Sequence, residues 1–230
     1  MELASSEDLS SAVGQIPEVL FQSNFSPDRF TVDCNESFVV GPGLGQEDFT
    51  GKILSQLLRA GAQNVILDAD ALNFYAAHEK SLGPLPSSWI LTPHVGELAR
   101  LLKISNQEVS RDRIKSAINA SQKLGCIVLL KGYRTVVSDG QKTFVILSGN
   151  VALAKAGSGD VLSGFIGGLR AQGLPSIWSA CLGAYIHGKL ADDWVESGRD
   201  VISLVPSDLF AMLNSVLPKT IRKVRTRQAQ

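Results

Sequence analysis

The residues best suited to chemistry lie together at positions 156–164, Ala-Gly-Ser-Gly-Asp-Val-Leu-Ser-Gly, where small residues lead directly into an apolar helical pattern. Glycines let backbone N–H groups converge, and a helix N-terminus carries a partial positive charge. Gly157, Ser158 and Gly159 are therefore candidates for an anion hole that could cradle a transferring phosphoryl group. Asp160 has two readings: a carboxylate that works in this hole, or an N-cap of the helix, a position that Asp favours. Taken alone, the segment favours the cap.

Three further segments are chemically suggestive, each placed after a predicted strand: Gly41-Pro42-Gly43-Leu44-Gly45, Leu67 to Asn73 (LDADALN) and Thr92 to Glu97 (TPHVGE). Ligands of open α/β sheets bind outside the carboxyl ends of parallel strands, so loops far apart in sequence can converge there. Gly43 permits close backbone approach or simply a tight turn. His94 can donate or accept a hydrogen bond at neutral pH. Asp68, Asp70 and Asn73 could hold a cation through water, but Asx residues also favour turns and caps, and structural support is their expected role. Phe165, Trp178 and Trp194 are expected in the core.

The elements needed to position these loops are legible as alternating β-branched runs and helical patterns, the signature of parallel βα units. Strands are predicted at Phe38–Val40, Val65–Leu67, Ile90–Leu91 and Cys126–Leu130. Helices are predicted over Phe49–Arg59, from near Ala71, and over Gly96–Leu102. A Ser105/Glu108 capping box introduces a further helix whose apolar face is Ile114, Ala117, Ile118 and Leu124. Thr135–Val137 and Thr143–Leu147 flank an Asp139-Gly140 turn and read as a hairpin, giving the sheet an antiparallel margin. Beyond Gly149 the pattern is helical over Val161–Ala171, Ile177–Val195 and Ser207–Val216.

Composition narrows the function classes. The chain has 230 residues, 44% hydrophobic and 19% charged, which suits one α/β domain. Lys plus Arg and Asp plus Glu are balanced at 22 each, so there is no general pull toward nucleic acid or an anionic membrane. The basic stretch at residues 219–230 is expected to be a solvated, frayed terminus. Cys34, Cys126 and Cys181 are scattered, with no CxxC pair, which argues against a disulfide framework or zinc site and fits the cytoplasm. No apolar run reaches the roughly 20 residues of a membrane span, and no membrane partner is expected.

Taken in order, GPGLG, LDADALN, TPHVGE, the LLKG segment running to Thr135, and Gly149-Asn150 followed by AGSGDVLSG resemble the NAD(P)H-hydrate dehydratase family of the ribokinase-like superfamily. The resemblance runs from about Pro17 to Leu213. It implies a three-layer αβα ribokinase-like fold with a mostly parallel central sheet, in a single domain over residues 1–230. It also implies a repair lyase: the 6-hydroxyl of hydrated NADH or NADPH (NADHX, NADPHX) is phosphorylated from ADP or ATP and then leaves as phosphate. Asp160 would be the base that takes the hydroxyl proton, as such a nucleophile requires. Gly43 and His94 would touch the substrate beside Asp160. Lys131, Gly132, Tyr133, Arg134, Thr135 and Gly159 would bind the nucleotide, and the amides of Gly157, Ser158 and Gly159 would neutralise the moving phosphoryl group.

Mg²⁺ would accompany the donor. Glu97 occupies the place of the acidic residue in the NxxE pattern of related kinases, but His94 stands where that pattern has Asn, so contact with the metal is expected through water at most. The family also implies a homo-oligomer, with a homotetramer as one form. Two departures matter. The family's Gly- and Ala-rich N-terminal strand–helix unit has no counterpart in Met1–Gln15, which predicts a missing wall and an exposed sheet edge. GSGD replaces the commoner GTGD but keeps the hydroxyl and the Asp. The competing readings are a small-alcohol kinase of thiazole or pyridoxal type, disfavoured by TPHVGE with LDADALN, and a non-catalytic nucleotide-binding module.

Overall fold

The computed structural model describes residues 31–33, 36–45 and 47–216; Cys34, Met1–Gln15 and the basic C-terminal stretch lie outside them. Strands β1 (Ser37–Val40), β2 (Asn64–Leu67), β3 (Ile90–Leu91) and β4 (Ile127–Leu130) are parallel neighbours in chain order. The hairpin of β5 (Val136–Ser138) and β6 (Thr143–Val145) extends the sheet antiparallel, in the order β1-β2-β3-β4-β5-β6.

This order dictates the layers. Parallel crossovers are almost always right-handed, so when each strand lies beside its predecessor, every intervening helix falls on the same face. Helices α1 (Asp48–Arg59), α2 (Ala69–Leu82), α3 (Val95–Leu102), α4 (Asn106–Arg111) and α5 (Arg113–Leu124) fill these connections. Leu54, Leu57, Leu72, Leu98 and Ala117 pack there against Val65, Leu67, Leu91, Val128 and Leu130. The alternate strand residues, Ile66, Ile90, Ile127 and Leu129, face the other way. They are covered by helices that follow the hairpin, α6 (Ser158–Ala171) and α7 (Ser176–Glu196), through Leu162, Ile166, Ala180 and Ala184. Burial on both faces is why these strands read as unbroken apolar runs. The fold is the three-layer, mostly parallel αβα architecture of the ribokinase-like class.

The helical segment 206–216 packs on the outer side of α6 and α7 through Leu209 and Val216. Among the described residues, no helix is long and apolar enough to cross a membrane. Cys126 and Cys181 are free, buried in opposite layers, and have thiols pushed up to about 12 by that burial.

Three local expectations need correction. The helix after the Ser105/Glu108 capping box is two helices, because Asp112 adopts φ −145° and ψ 88° and accepts from the Lys115 N–H to start a new one. The restart changes the helical phase, so Ser116, Ala117, Ala120, Ser121 and Leu124 face inward while Ile114 is 46% exposed. Helix α2 starts at Ala69 rather than near Ala71, because the Asp68 side chain caps it. Trp178 is not core: it is 51% exposed and packs on Phe144 at the hairpin end of the sheet. Trp194 is buried, with its indole N–H donating to the Asp200 carbonyl at 2.9 Å, and Phe165 is partly buried.

The β1–α1 turn shows how closely the site loops are built onto one another. Gly41 has φ +129°, and a Cβ there would lie 1.8 Å from the Asp68 carbonyl oxygen. Gly41→Ala is therefore expected to destabilise the protein by about 3 kcal/mol, from steric overlap plus backbone strain. Gly45 also has positive φ, at +78°, but has open space around its Cβ position. Gly45→Ala is expected to cost only about 1 kcal/mol. Urea midpoints of the two variants check the contrast.

Candidate active site

All four parallel strands end at the same edge, and the hydrogen-bond ladder continues past them. The Asp68 N–H donates to the Val40 carbonyl, that of Thr92 to Leu67, and that of Lys131 to Pro93, at 3.0, 3.0 and 2.8 Å. The GPGLG, LDADALN, TPHVGE and LLKG loops are thereby brought side by side. Asp70 accepts from the Gly45 N–H at 2.9 Å and Thr50 donates to the Gly45 carbonyl at 2.7 Å, so the first loop is pinned to both helices beneath it. Gly43 is exposed at its tip with φ +65°.

Helix α6 delivers the Gly-Ser-Gly-Asp segment to this edge from the opposite layer. Its N-cap is Gly157, in the left-handed region at φ +81°, and no side chain caps it. Asp160 is the third residue of the helix, so the capping alternative for its carboxylate is not what the structure has. The Ser158 N–H is drawn back to the Lys155 carbonyl at 3.3 Å. First-turn amides have no intrahelical acceptor, so those of Gly159 and Asp160 remain for an anion.

The start of α6 stands between two cavities. One, of about 370 Å³, is lined by Ser158 and Gly159 together with Lys131, Gly132, Tyr133, Arg134 and Thr135. The other, of about 580 Å³, is lined by Asp160 and Gly164 with β1 and the residues Gly41, Pro42 and Leu44. Successive residues of one helical turn thus face different chambers. Asp160 is exposed to its chamber, and partial desolvation, then the nearby Asp68 carboxylate, raise its pKa, while Lys131 opposes them.

Asp68 is the hub beneath this boundary. It is 1% exposed, accepts from Lys131 Nζ at 2.6 Å and from the Ala69 N–H at 2.9 Å, and takes a hydrogen bond from the Ser163 hydroxyl of α6. The support role expected of Asp68 is visible in these contacts, which tie the start of α2 and Lys131 to α6 and which sequence spacing did not reveal. Lys131 also lies 3.9 Å from Glu97 Oε2. A Cβ on Gly159 would come within 3.4 Å of Lys131 Nζ. Lys131 Nζ therefore lies beside the first turn of α6.

His94 and Glu97 form a reciprocal cap on α3. His94 Nδ1 accepts from the Gly96 N–H at 2.9 Å, and the Glu97 carboxylate accepts from the His94 N–H at 2.7 Å. That arrangement fixes the ring's hydrogen on Nε2, which lies 3.5 Å from Glu97 Oε1 on a side chain 55% exposed. His94 lines neither chamber. Asn73 accepts from the Arg100 guanidinium at 2.8 Å, a contact between α2 and α3.

Along the first cavity, Tyr133 is 78% exposed with the Arg134 guanidinium 5.4 Å from its ring centre. Arg113 donates to the Leu130 and Lys131 carbonyls at 3.2 Å each and lies under Gly132, whose φ is +138°. The opposite wall is made of Ser148, Gly149, Asn150, His187 and Gly188. Asp192 holds it, accepting from the Gly149 N–H at 2.9 Å and from Asn150 Nδ2 at 3.1 Å. Gly149-Asn150 was visible as a motif; His187 and Asp192 lie inside a long helical pattern that gave no separate signal.

Among the described residues, no group of three or more His, Cys, Asp or Glu side chains forms a metal cage. Glu97 is buried, with its Oε2 3.9 Å from Lys131 Nζ.

A family model described as NAD(P)H-hydrate dehydratase matches residues 4–214. The bifunctional NAD(P)H-hydrate repair enzyme of Coxiella burnetii is 41% identical over 176 residues, covering 76% of this chain and 35% of that protein. The ADP-dependent (S)-NAD(P)H-hydrate dehydratase of Neisseria meningitidis is 40% identical over 177 residues, covering 75% of this chain and 60% of that one. The chain thus spans between about a third and three fifths of these relatives' lengths. The solved ADP/ATP-dependent NAD(P)H-hydrate dehydratase of Bacillus subtilis, co-crystallised with ATP and Mg²⁺, superposes with a TM-score of 0.77 at 26% identity, covering 93% of this chain and 76% of that one.

Proposed function

The chain belongs to the NAD(P)H-hydrate dehydratase family, and from that premise we propose that it repairs the S form of hydrated NADH or NADPH at the expense of ADP or ATP. The observation that carries the reading is the pair of chambers meeting at the start of α6, with Gly159 in one and Asp160 in the other. Phosphoryl transfer needs a donor and an acceptor on opposite sides of one anion site, with a base on the acceptor side.

The donor nucleotide lies along Lys131–Thr135, its terminal phosphate over the Gly159 and Asp160 amides and Lys131. The hydrated nicotinamide enters the chamber beside Gly41–Leu44. Asp160 takes the 6-hydroxyl proton as that oxygen bonds to phosphorus and the bond to the departing nucleotide breaks. The ring nitrogen then drives phosphate from the carbon, and loss of a proton from the neighbouring carbon restores the double bond. Mg²⁺ bound with the donor would neutralise charge on its phosphates, and Glu97 would be the carboxylate to hold one of the ion's waters. We expect a cytoplasmic homo-oligomer without a nucleic-acid or membrane partner.

The test is direct. The purified protein is mixed with hydrated NADH and either ADP or ATP, and recovery of the NADH absorbance band is followed. Recovery with at least one donor, and none without, is the expected result. ADP binding with no recovery under either donor would overturn the proposal in favour of a non-catalytic nucleotide-binding module. A phosphorylated thiazole or pyridoxal-type alcohol without recovery would favour a kinase.

A further inference from the structure

The first cavity contains a buried imidazole that the mechanism does not use. His187 Nε2 lies 3.1 Å from Ser158 Oγ, both side chains are buried, and both line the chamber assigned to the nucleotide. We propose that His187 is a positioning residue: its Nε2–H donates to the Ser158 hydroxyl oxygen, so that the hydroxyl hydrogen is presented to a phosphate oxygen of a nucleoside di- or triphosphate seated over α6. This rests on the nucleotide-binding half of the reading above.

The direction of the hydrogen bond follows from what else is present. A neutral imidazole has one N–H and one acceptor nitrogen, so the pair can be arranged in either sense. If the hydroxyl donated to the ring, oxygen lone pairs would face an anion. If the ring donates, the hydroxyl hydrogen is released toward it. Ser158 has no spare amide for the task, because that N–H is engaged with the Lys155 carbonyl. Burial, with Lys131 adding to it, pushes the His187 pKa down to about 4 against a hydrogen bond with the Ser158 main chain, so the ring is neutral at pH 7. Helix α7 cannot back away and loosen the contact without losing its fit to the cavity wall: a Cβ on Gly188, the next residue, would be 2.5 Å from the Ser148 main chain. Phe165 borders the ring on another side, with centroids 6.3 Å apart.

The experiment is a double-mutant cycle on ADP affinity by titration calorimetry, using the whole chain as His187→Leu, Ser158→Ala and both together, with His187→Gln as the conservative variant. Each single replacement is expected to weaken ADP about tenfold, the size of one hydrogen bond to a charged group. The double variant should be no weaker than either single one, and His187→Gln, which retains an N–H near Nε2, should recover most of the loss. Nitrogen-15 NMR of the wild-type ring should place the hydrogen on Nε2. Additive losses in the cycle, or a ring hydrogen on Nδ1, would overturn the proposal. Should His187→Leu fail to fold, Ser158→Ala and the NMR measurement decide: unchanged ADP affinity in Ser158→Ala overturns it. None of these readouts needs turnover. A protein inactive on hydrated NADH but coupled in this cycle would discard the dehydratase reading and keep the role of His187.

Discussion

Asp160→Asn is expected to slow dehydration of hydrated NADH by about a thousandfold, the middle of the range for removing a general base, while leaving ADP affinity and folding nearly unchanged. The split follows from geometry. Asp160 faces the chamber opposite the one lined by Lys131–Thr135, so the nucleotide loses no partner. It caps nothing, so α6 loses no terminus contact. Its pKa is raised, chiefly by desolvation and then by Asp68. A raised carboxyl pKa means that the proton is held more tightly in the folded protein than in the unfolded chain. Any stability from this group is present at low pH and lost as pH rises through the folded pKa. At neutral pH the Asn variant should therefore melt at or slightly above the wild-type temperature. The activity sign runs the other way: the rate climbs as the base ionises, with an acid limb above the pH of an ordinary aspartate. The residual activity of Asp160→Asn should lack that limb. A variant that keeps wild-type turnover removes Asp160 from the chemistry.

The sequence revealed the site loops better than the supports beneath them, for a physical reason. Glycine-rich turns and strand ends leave local signals, because positive φ and strand termination constrain residue type over a few positions. GPGLG and the segment leading into α6 could therefore be placed without a structure. What spans long separations leaves none. Asp68 and Ser163 are 95 residues apart and meet only because α6 crosses the free face of the sheet. His187 and Ser158 are 29 apart and meet only because α7 packs on α6. His94 shows the opposite case, in which a conspicuous residue is engaged by its own helix: its Nδ1 accepts the Gly96 N–H, leaving only Nε2 for any ligand. The phase error at Ile114 has a local cause, since one non-helical residue, Asp112, resets which side of a helix faces inward.

Asp68→Ala is expected to destabilise the fold by about 3 kcal/mol, the lower end for breaking a buried ion pair, because Lys131 keeps 18% of its side chain in solvent and has Glu97 Oε2 at 3.9 Å. Chemical denaturation measures it. Asp68→Asn separates the carboxylate's charge from its shape. The amide can still accept from the Ala69 N–H, so α2 remains capped, but Lys131 loses the anion 2.6 Å away. Asp160 feels both changes with the same sign. The negative charge that raised its pKa is gone, and the lysine that lowers it is no longer neutralised. The acid limb of the rate should therefore move to lower pH in Asp68→Asn, and to higher pH in Lys131→Met, where the opposing cation is removed instead. Opposite displacements from two neighbouring charges, neither required to touch the substrate hydroxyl, would identify the limb as the titration of Asp160. Displacements in the same direction would mean that another group controls it.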